Sequence, residues 1–305
     1  MGLESWIQNY FRRLSARRRR RQFSQVRYFP PFGLAIPPGH PGDSLILKFP
    51  SYDIFFPLLS AISQERRQGI TVDVGANIGL NFAKSCEHFP NQAWILMEGD
   101  LGYADTLESN VRVVASKAPN ASGKVVRAIV GNESLGGAGK IVTDRGTGSW
   151  KAGEGGNLPI PLDKLLPEAN SEGSRVVLLK IDTDGYDWNV LESAGQVIEK
   201  DAPMIFFEAY VSSKLDNLFH YDRAVKTLER FYTRCAVFDN AGGLIHRSLP
   251  VSDARELILY TYRHTLGLFT KKISYFDFLL YNDDDVDLVN SSIELCLRSL
   301  EVGVK

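Results

Sequence analysis

The chain has 305 residues, 44% of them hydrophobic and 23% charged, which suits one large globular domain with additions. No run of about 18 apolar residues reads as a membrane-spanning helix. Three widely spaced cysteines, Cys86, Cys235 and Cys296, suggest neither a disulfide framework nor a zinc site, so a reducing, cytoplasmic setting is expected. The net charge of −1 conceals a split: the first 27 residues hold eight arginines and one acid, and the rest has 27 basic and 35 acidic residues. An acidic body argues against nucleic acid as the main partner.

Residues 1–27 read as a separate basic segment. Trp6, Ile7, Tyr10, Phe11 and Leu14 recur at helical spacing, and Arg12, Arg13 and Arg17 to Arg21 follow. Three readings fit: an amphipathic helix held at an anionic membrane surface, a transit peptide, or a solvated tail. Residues 28–67 form a lead-in, extended over 28–48 because of Pro30, Pro31, Pro37, Pro38 and Pro41. The main domain, 68–285, then alternates. Strands are expected at 70–74, 93–97, 125–130, 176–182, 203–208 and 234–238, with helices near 79–88, 102–115, 187–199 and 221–232. Apolar strands separated by helices predict an α/β fold, with a parallel sheet covered on both faces. Residues 132–158 contain eight glycines and read either as a lid over a site or as a surface hairpin, with Ser149 and Trp150 as its ligand-contacting candidates. Residues 246–272 hold a helix and a basic patch of no readable role. Residues 274–281 read as a seventh strand, and 286–305 as a helical tail.

The chemistry starts at Val72-Asp73-Val74-Gly75-Ala76-Asn77-Ile78-Gly79, followed nineteen residues later by Glu98. Strand, glycine turn, helix, strand and terminal acid make the first half of a nucleotide-binding βαβ unit. A dinucleotide fingerprint needs G-x-G-x-x-G. Here the pattern is D-x-G-x-x-x-G, and a carboxylate such as Asp73 would repel a pyrophosphate but attract the ammonium of S-adenosylmethionine. A nicotinamide-dependent oxidoreductase is therefore the weaker alternative, alongside a non-catalytic, membrane-tethered scaffold that binds the cofactor. Asp73, Gly75, Asn77 and Gly79 are assigned to the methionine end and Glu98 to the ribose hydroxyls. Ala128, after the third strand, is assigned to the adenine.

A second cluster follows the strand Val176–Ile181, in Asp182-Thr183-Asp184-Gly185-Tyr186-Asp187, and the next strand ends in Glu208. Ligands of open α/β sheets sit at the carboxyl ends of strands, so Asp182 and Glu208 are expected to face the same crevice as Asp73 and Glu98. Crowded acids raise one another's pKa values unless a cation neutralises them. Three roles stay open for Asp182, Asp184 and Glu208: general base, ligands of a divalent metal such as Mg2+, or a clamp on substrate hydroxyls. Asp187, and in part Asp184, also suit a helix N-terminus. Lys180 is placed either to orient these carboxylates or to snorkel out of the strand. Tyr186, Trp188, Trp150 and Tyr210 are candidates for stacking on a ring, and His220 and His246 are alternative bases.

Taken in order, these motifs resemble the FkbM family of S-adenosylmethionine-dependent methyltransferases. The resemblance rests on Val72 to Gly79, on Glu98, on Lys180-Ile181-Asp182-Thr183-Asp184-Gly185 followed by Val190-Leu191-Glu192-Ser193-Ala194, on Pro161 to Leu166, and on Val237-Phe238-Asp239-Asn240-Ala241-Gly242-Gly243. It covers about residues 68–285. It implies a class I methyltransferase (Rossmann-like) fold with six parallel strands and an antiparallel seventh. It also implies O-methylation of a small-molecule or saccharide acceptor. Two positions depart from the family pattern: Asp184 stands where the family usually has Glu, and Gly99-Asp100 follows the second-strand acid where the family often has Pro.

Overall fold

The computed structural model describes residues 27–29, 32–37, 40, 54–144, 147–153, 156–211, 215–239, 242–266 and 275–303. Residues 1–26 of the expected basic segment 1–27, most of the proline-rich lead-in, and Asn240-Ala241 and Ser274 lie outside them.

The chain begins with a small hairpin, β1 (Arg27–Phe29) and β2 (Leu34–Ile36), followed by helix α1 (Phe55–Arg67). The sheet then starts with β3 (Ile70–Val74), α2 (Leu80–His88), β4 (Ala93–Glu98), α3 (Leu101–Lys117) and β5 (Ser122–Arg127). A one-turn helix α4 (Glu133–Gly136), a second hairpin, β6 (Gly139–Asp144) with β7 (Thr147–Ala152), and α5 (Leu162–Ala169) separate this half from the next. The second half runs β8 (Val176–Ile181), α6 (Asp187–Glu192), α7 (Gly195–Asp201), β9 (Met204–Ala209), α8 (Leu215–Leu228) and β10 (Arg234–Asp239). It ends with β11 (Leu244–Pro250), α9 (Val251–Thr265), β12 (Phe276–Tyr281) and α10 (Val286–Gly303).

The central sheet has eight strands in the order β11-β10-β12-β9-β8-β3-β4-β5. The β5, β4, β3, β8 and β9 strands are mutually parallel, and β12 is antiparallel to both β9 and β10. This is the class I arrangement, with one strand more than the seven expected. The additional strand, β11, pairs antiparallel with β10 at the sheet edge. It lies in the 246–272 region whose role could not be read, and the reason is physical. Leu-Ile-His-Arg-Ser-Leu-Pro is largely exposed, so it carries neither the alternation nor the apolar run that marks a strand. The turn before it is held by Asp239, whose Oδ1 accepts from Gly243 N at 2.8 Å.

Every side chain of β3 and β8 is buried, which explains their near-continuous Val, Ile and Leu. One core layer packs α5 to α9 on one sheet face; the other packs α1, α2, α3 and α10 on the opposite face. Phe55 and Phe56 of α1 enter that second layer, and α1 packs against α10, so the lead-in helix is built into the same body as the sheet. The expected helix over 187–199 is two helices, because the backbone breaks at Ser193-Ala194. Asp100 caps α3 by accepting from Gly102 N and Tyr103 N. Among the described residues, no helix is long and apolar enough to cross a membrane.

Candidate functional site

From β3 the chain winds outward through β4 to β5, then returns to the other side of β3 with β8. This reversal places a crevice at the carboxyl ends of β3 and β8. Two clefts open there. The first, about 560 Å³ and open to solvent, lies over β3, β4, β5 and β8. Its floor is Gly75 and Asn77 after β3, and Glu98 and Gly99 after β4. Ala128 to Val130, Thr183, Asp184 and Tyr186 complete its lining.

Gly75 has φ +83°, and a Cβ there would lie 1.8 Å from the Asp182 carbonyl oxygen. Only glycine allows the two strand ends to approach this closely. Two residues on, Asn77 has φ +52°, a left-handed conformation that Asn tolerates better than most residues. Its amide donates to Glu98 Oε2 at 2.8 Å, and its Oδ1 pairs with His40 Nε2 at 2.8 Å. The other carboxylate oxygen of Glu98 accepts from Asp100 N at 2.7 Å. Burial pushes the Glu98 carboxyl up to about 7, outweighing these backbone donors. Asp184 is also pushed up to about 7, by burial first and then by Asp182 and Glu98.

The second cleft, about 540 Å³, lies over β8, β9 and β12 and carries Lys180, Asp182, Glu208 and Asp277. Phe55, Phe56, Phe206, Phe238 and Tyr275 supply its apolar walls. Glu208 and Asp277 face each other in register across β9 and β12. Burial, then Asp182 and Asp277, push the Glu208 carboxyl well above the usual carboxylate range. Asp182 borders both clefts, and its side chain is 44% exposed. Its Oδ2 accepts from Lys180 Nζ at 2.8 Å. The lysine, only 3% exposed, also stands 3.6 Å from Asp73 Oδ1 and over the Phe56 ring.

Gly75, Asn77, Glu98, Ala128, Asp182 and Asp184 therefore gather around the first cleft, and Asp182 and Glu208 around the second. The single crevice expected for Asp73, Glu98, Asp182 and Glu208 is thus two: Glu208 does not share the cleft of Glu98, and Asp73 and Gly79 are on neither wall. Asp73 is buried beneath the site against Lys180, and Gly79 starts α2 at φ +82° beside Leu107. Asp187 accepts from Thr183 N and Gly185 N, so it ties down the turn ahead of α6 instead of capping that helix, which has no side-chain cap. His220 stacks on Trp188 at 3.9 Å, and His246 sits exposed on the edge strand, so neither faces a cleft. Tyr210 is exposed beside Tyr275.

Residues not foreseen include His40, Tyr103, Asp277 and the paired phenylalanines of α1. A lone histidine among prolines and a Phe-Phe step carry no pattern that separates a site from packing. The β6–β7 hairpin, one of the two forms expected for the glycine-rich stretch, contributes Ile141, Gly148 and Trp150 to the first cleft. Trp150 Nε1, Thr183 Oγ1 and Tyr186 OH are buried there without hydrogen-bond partners. Buried polar atoms are ordinarily satisfied, so this wall suits a polar ligand. A metal fits less well: among the described residues, no group of three or more His, Cys, Asp or Glu converges to hold an ion, and Asp182 already accepts from Lys180.

A family model described as the methyltransferase FkbM domain matches residues 73–232. No curated protein matches the chain. Among solved structures, the methyltransferase FkbM of Methylobacillus flagellatus KT is 19% identical with a TM-score of 0.34, over 47% of this chain and 33% of that one. The chain thus spans about a third of that protein's length. The O-methyltransferase from Bacillus cereus, solved in complex with SAH, is 11% identical with a TM-score of 0.42, over 75% of this chain and 80% of that one. The precorrin-6y C5,15-methyltransferase of Geobacter metallireducens is 12% identical with a TM-score of 0.36, over 73% and 85%.

Proposed function

The chain belongs to the FkbM methyltransferase family, and on that premise we propose that it moves the methyl group of S-adenosylmethionine to a hydroxyl oxygen of a small molecule or saccharide. The observation that carries this proposal is the meeting of two clefts at one carboxylate, Asp182. The first cleft is the nucleoside side, with Glu98 accepting from the ribose hydroxyls, Gly75 and Asn77 at the methionine end, and Ala128 beside the base. The second, aromatic-walled and acidic, is the acceptor side. When bound, the cofactor supplies an electrophilic methyl on a cationic sulfur. Asp182 takes the hydroxyl proton as the acceptor oxygen forms its bond to the methyl carbon and the carbon–sulfur pair returns to sulfur. Holding the partners in line is worth roughly 7–11 kcal/mol in well-oriented systems, and a placed base about 10²–10⁴-fold. Rigid strand ends therefore carry more of the rate than the base. No step runs through a metal.

Incubating the protein with labelled methyl donor and a panel of alcohols and saccharides tests the reaction. Turnover on a hydroxyl is the expected result. Cofactor binding with no turnover on any alcohol would sink the proposed transfer.

The acids give the cofactor side a pH signature. Glu98 and Asp184 both hold a proton up to about pH 7. Ribose hydroxyls donating to Glu98, and a nearby sulfonium, favour the ionised forms. Binding therefore releases protons near neutrality, and affinity rises from pH 6 to pH 8 before levelling. Calorimetry in buffers of different ionisation enthalpy should record more proton release with S-adenosylmethionine than with SAH, whose sulfur is uncharged. Glu98→Gln should weaken binding about tenfold and flatten the pH dependence. The same shifts act on folding with the opposite sign. Between about pH 4.5 and 7 the folded chain keeps a proton on Glu98 that the unfolded chain has lost, so this group's contribution to stability falls as pH rises through that window.

A further inference from the structure

We propose that the β6–β7 hairpin closes the nucleoside end of the first cleft, and that Trp150 and Tyr186 read the edge of a purine base there. The inference rests on the cofactor proposal and extends it to the polar atoms of two aromatic side chains.

The hairpin is tied to the end of the third parallel strand. Just beyond β5, Val130 forms a bridge with Ile160, and Gly131 N donates to Ile160 O at 3.0 Å. At its base, Gly139 N donates to Asn157 O and Gly153 N to Ala138 O. Ile141 and Trp150 are directly paired across the two strands and so share a face. That face is turned toward the sheet: a Cβ at Gly99, next to Glu98, would meet Ile141 Cδ1 at 2.6 Å. The absence of a side chain at Gly99 is therefore what lets the hairpin lie over the ribose acid. On the far side, the Trp150 ring packs on Tyr186 with centroids 5.7 Å apart. Tyr186 itself is 8% exposed.

The polar atoms of this wall have no use within the fold. Trp150 Nε1 and Tyr186 OH are buried, border the cleft, and have no hydrogen-bond partner. An indole N–H can only donate, and a phenol can donate or accept. A purine edge offers ring nitrogens that accept beside an exocyclic group, which matches that pair, and its faces suit the apolar Ile129, Val130 and Ile141. Position assigns the base rather than the acceptor. Trp150 belongs to the hairpin that follows β5, and the Tyr186 ring, although its residue follows β8, reaches the same end: a Cβ at Gly131, just beyond β5, would meet Tyr186 Cε1 at 2.9 Å.

Trp150→Phe keeps a ring and removes the N–H, and Tyr186→Phe removes the hydroxyl. Each is made in the full chain, checked by thermal melting, and titrated calorimetrically with SAH and with S-inosylhomocysteine, which differs only on the base edge. The expected result is SAH affinity about fivefold to tenfold weaker in each variant, with the preference for SAH over the inosine analogue reduced in the double variant. Folded variants that bind SAH as the native chain does, with the same base preference, overturn the role given to this wall. SAH that fails to bind the native chain at all overturns the cofactor proposal instead.

Discussion

Asp182→Asn is expected to lower kcat by about 10²–10³-fold while leaving SAH affinity within about threefold of the native value. The substitution keeps the shape of the side chain, and its amide oxygen can still accept from Lys180. It removes only the ability to take a proton. Asp182 is singled out over the other acids by position. Among the described residues it is the one carboxylate bordering both clefts, with a side chain 44% exposed where donor and acceptor would meet. Glu208 lies in the acceptor cleft alone, and burial with its acidic neighbours pushes its carboxyl well up. A carboxyl pushed up in this way holds its proton more firmly and is the less available base. Glu208→Gln should therefore cost less than tenfold. Steady-state kinetics on both variants, with SAH titrations alongside, separates the two. A fully active Asp182→Asn, or a Glu208→Gln as damaged as Asp182→Asn, would move the base elsewhere.

What could be read from the sequence and what could not divide along a physical line. The strands β3, β4, β8 and β9 were legible because burial on both faces demands unbroken apolar runs, and the residues that follow them fall at the sheet's functional edge by geometry alone. Gly75, Asn77, Glu98, Asp182 and Asp184 were placed in this way. Elements whose role depends on tertiary neighbours gave no such signal. β11 is an exposed edge strand, and α1 buries Phe55 and Phe56 against a sheet that follows it in the chain. His40 acts only through Asn77, thirty-seven residues away. Asp73 shows the converse. Its place in the motif suggested a ligand contact, whereas the strand alternation turns it beneath the site. A strand residue two before Gly75 points to the layer where Lys180 runs, and Lys180 reaches past it to Asp182.

That buried lysine is where the largest loss of stability is expected. Lys180→Met keeps the length of the side chain and removes its charge. Asp73, 1% exposed, loses the ammonium 3.6 Å away, and Asp182 loses its 2.8 Å donor. Removing one partner of a buried ion pair costs about 3–5 kcal/mol, because the remaining charge stays out of water. The cost should fall chiefly on Asp73, since Asp182 can turn to solvent. Denaturant unfolding of Lys180→Met should show that loss, and adding Asp73→Asn should recover part of it, because the amide carries no charge to strand. Asp182→Asn in the same background should recover much less. The two double variants thus separate the lysine's two partners. Recovery of stability without recovery of turnover in Lys180→Met/Asp73→Asn would assign Lys180 a second task, holding Asp182 at the junction of the clefts. Lys180→Arg, which keeps the charge but not the single compact donor, should retain more of both properties than Lys180→Met. A Lys180→Met protein as stable as the native chain would show that the Asp73–Lys180–Asp182 arrangement carries no energetic weight.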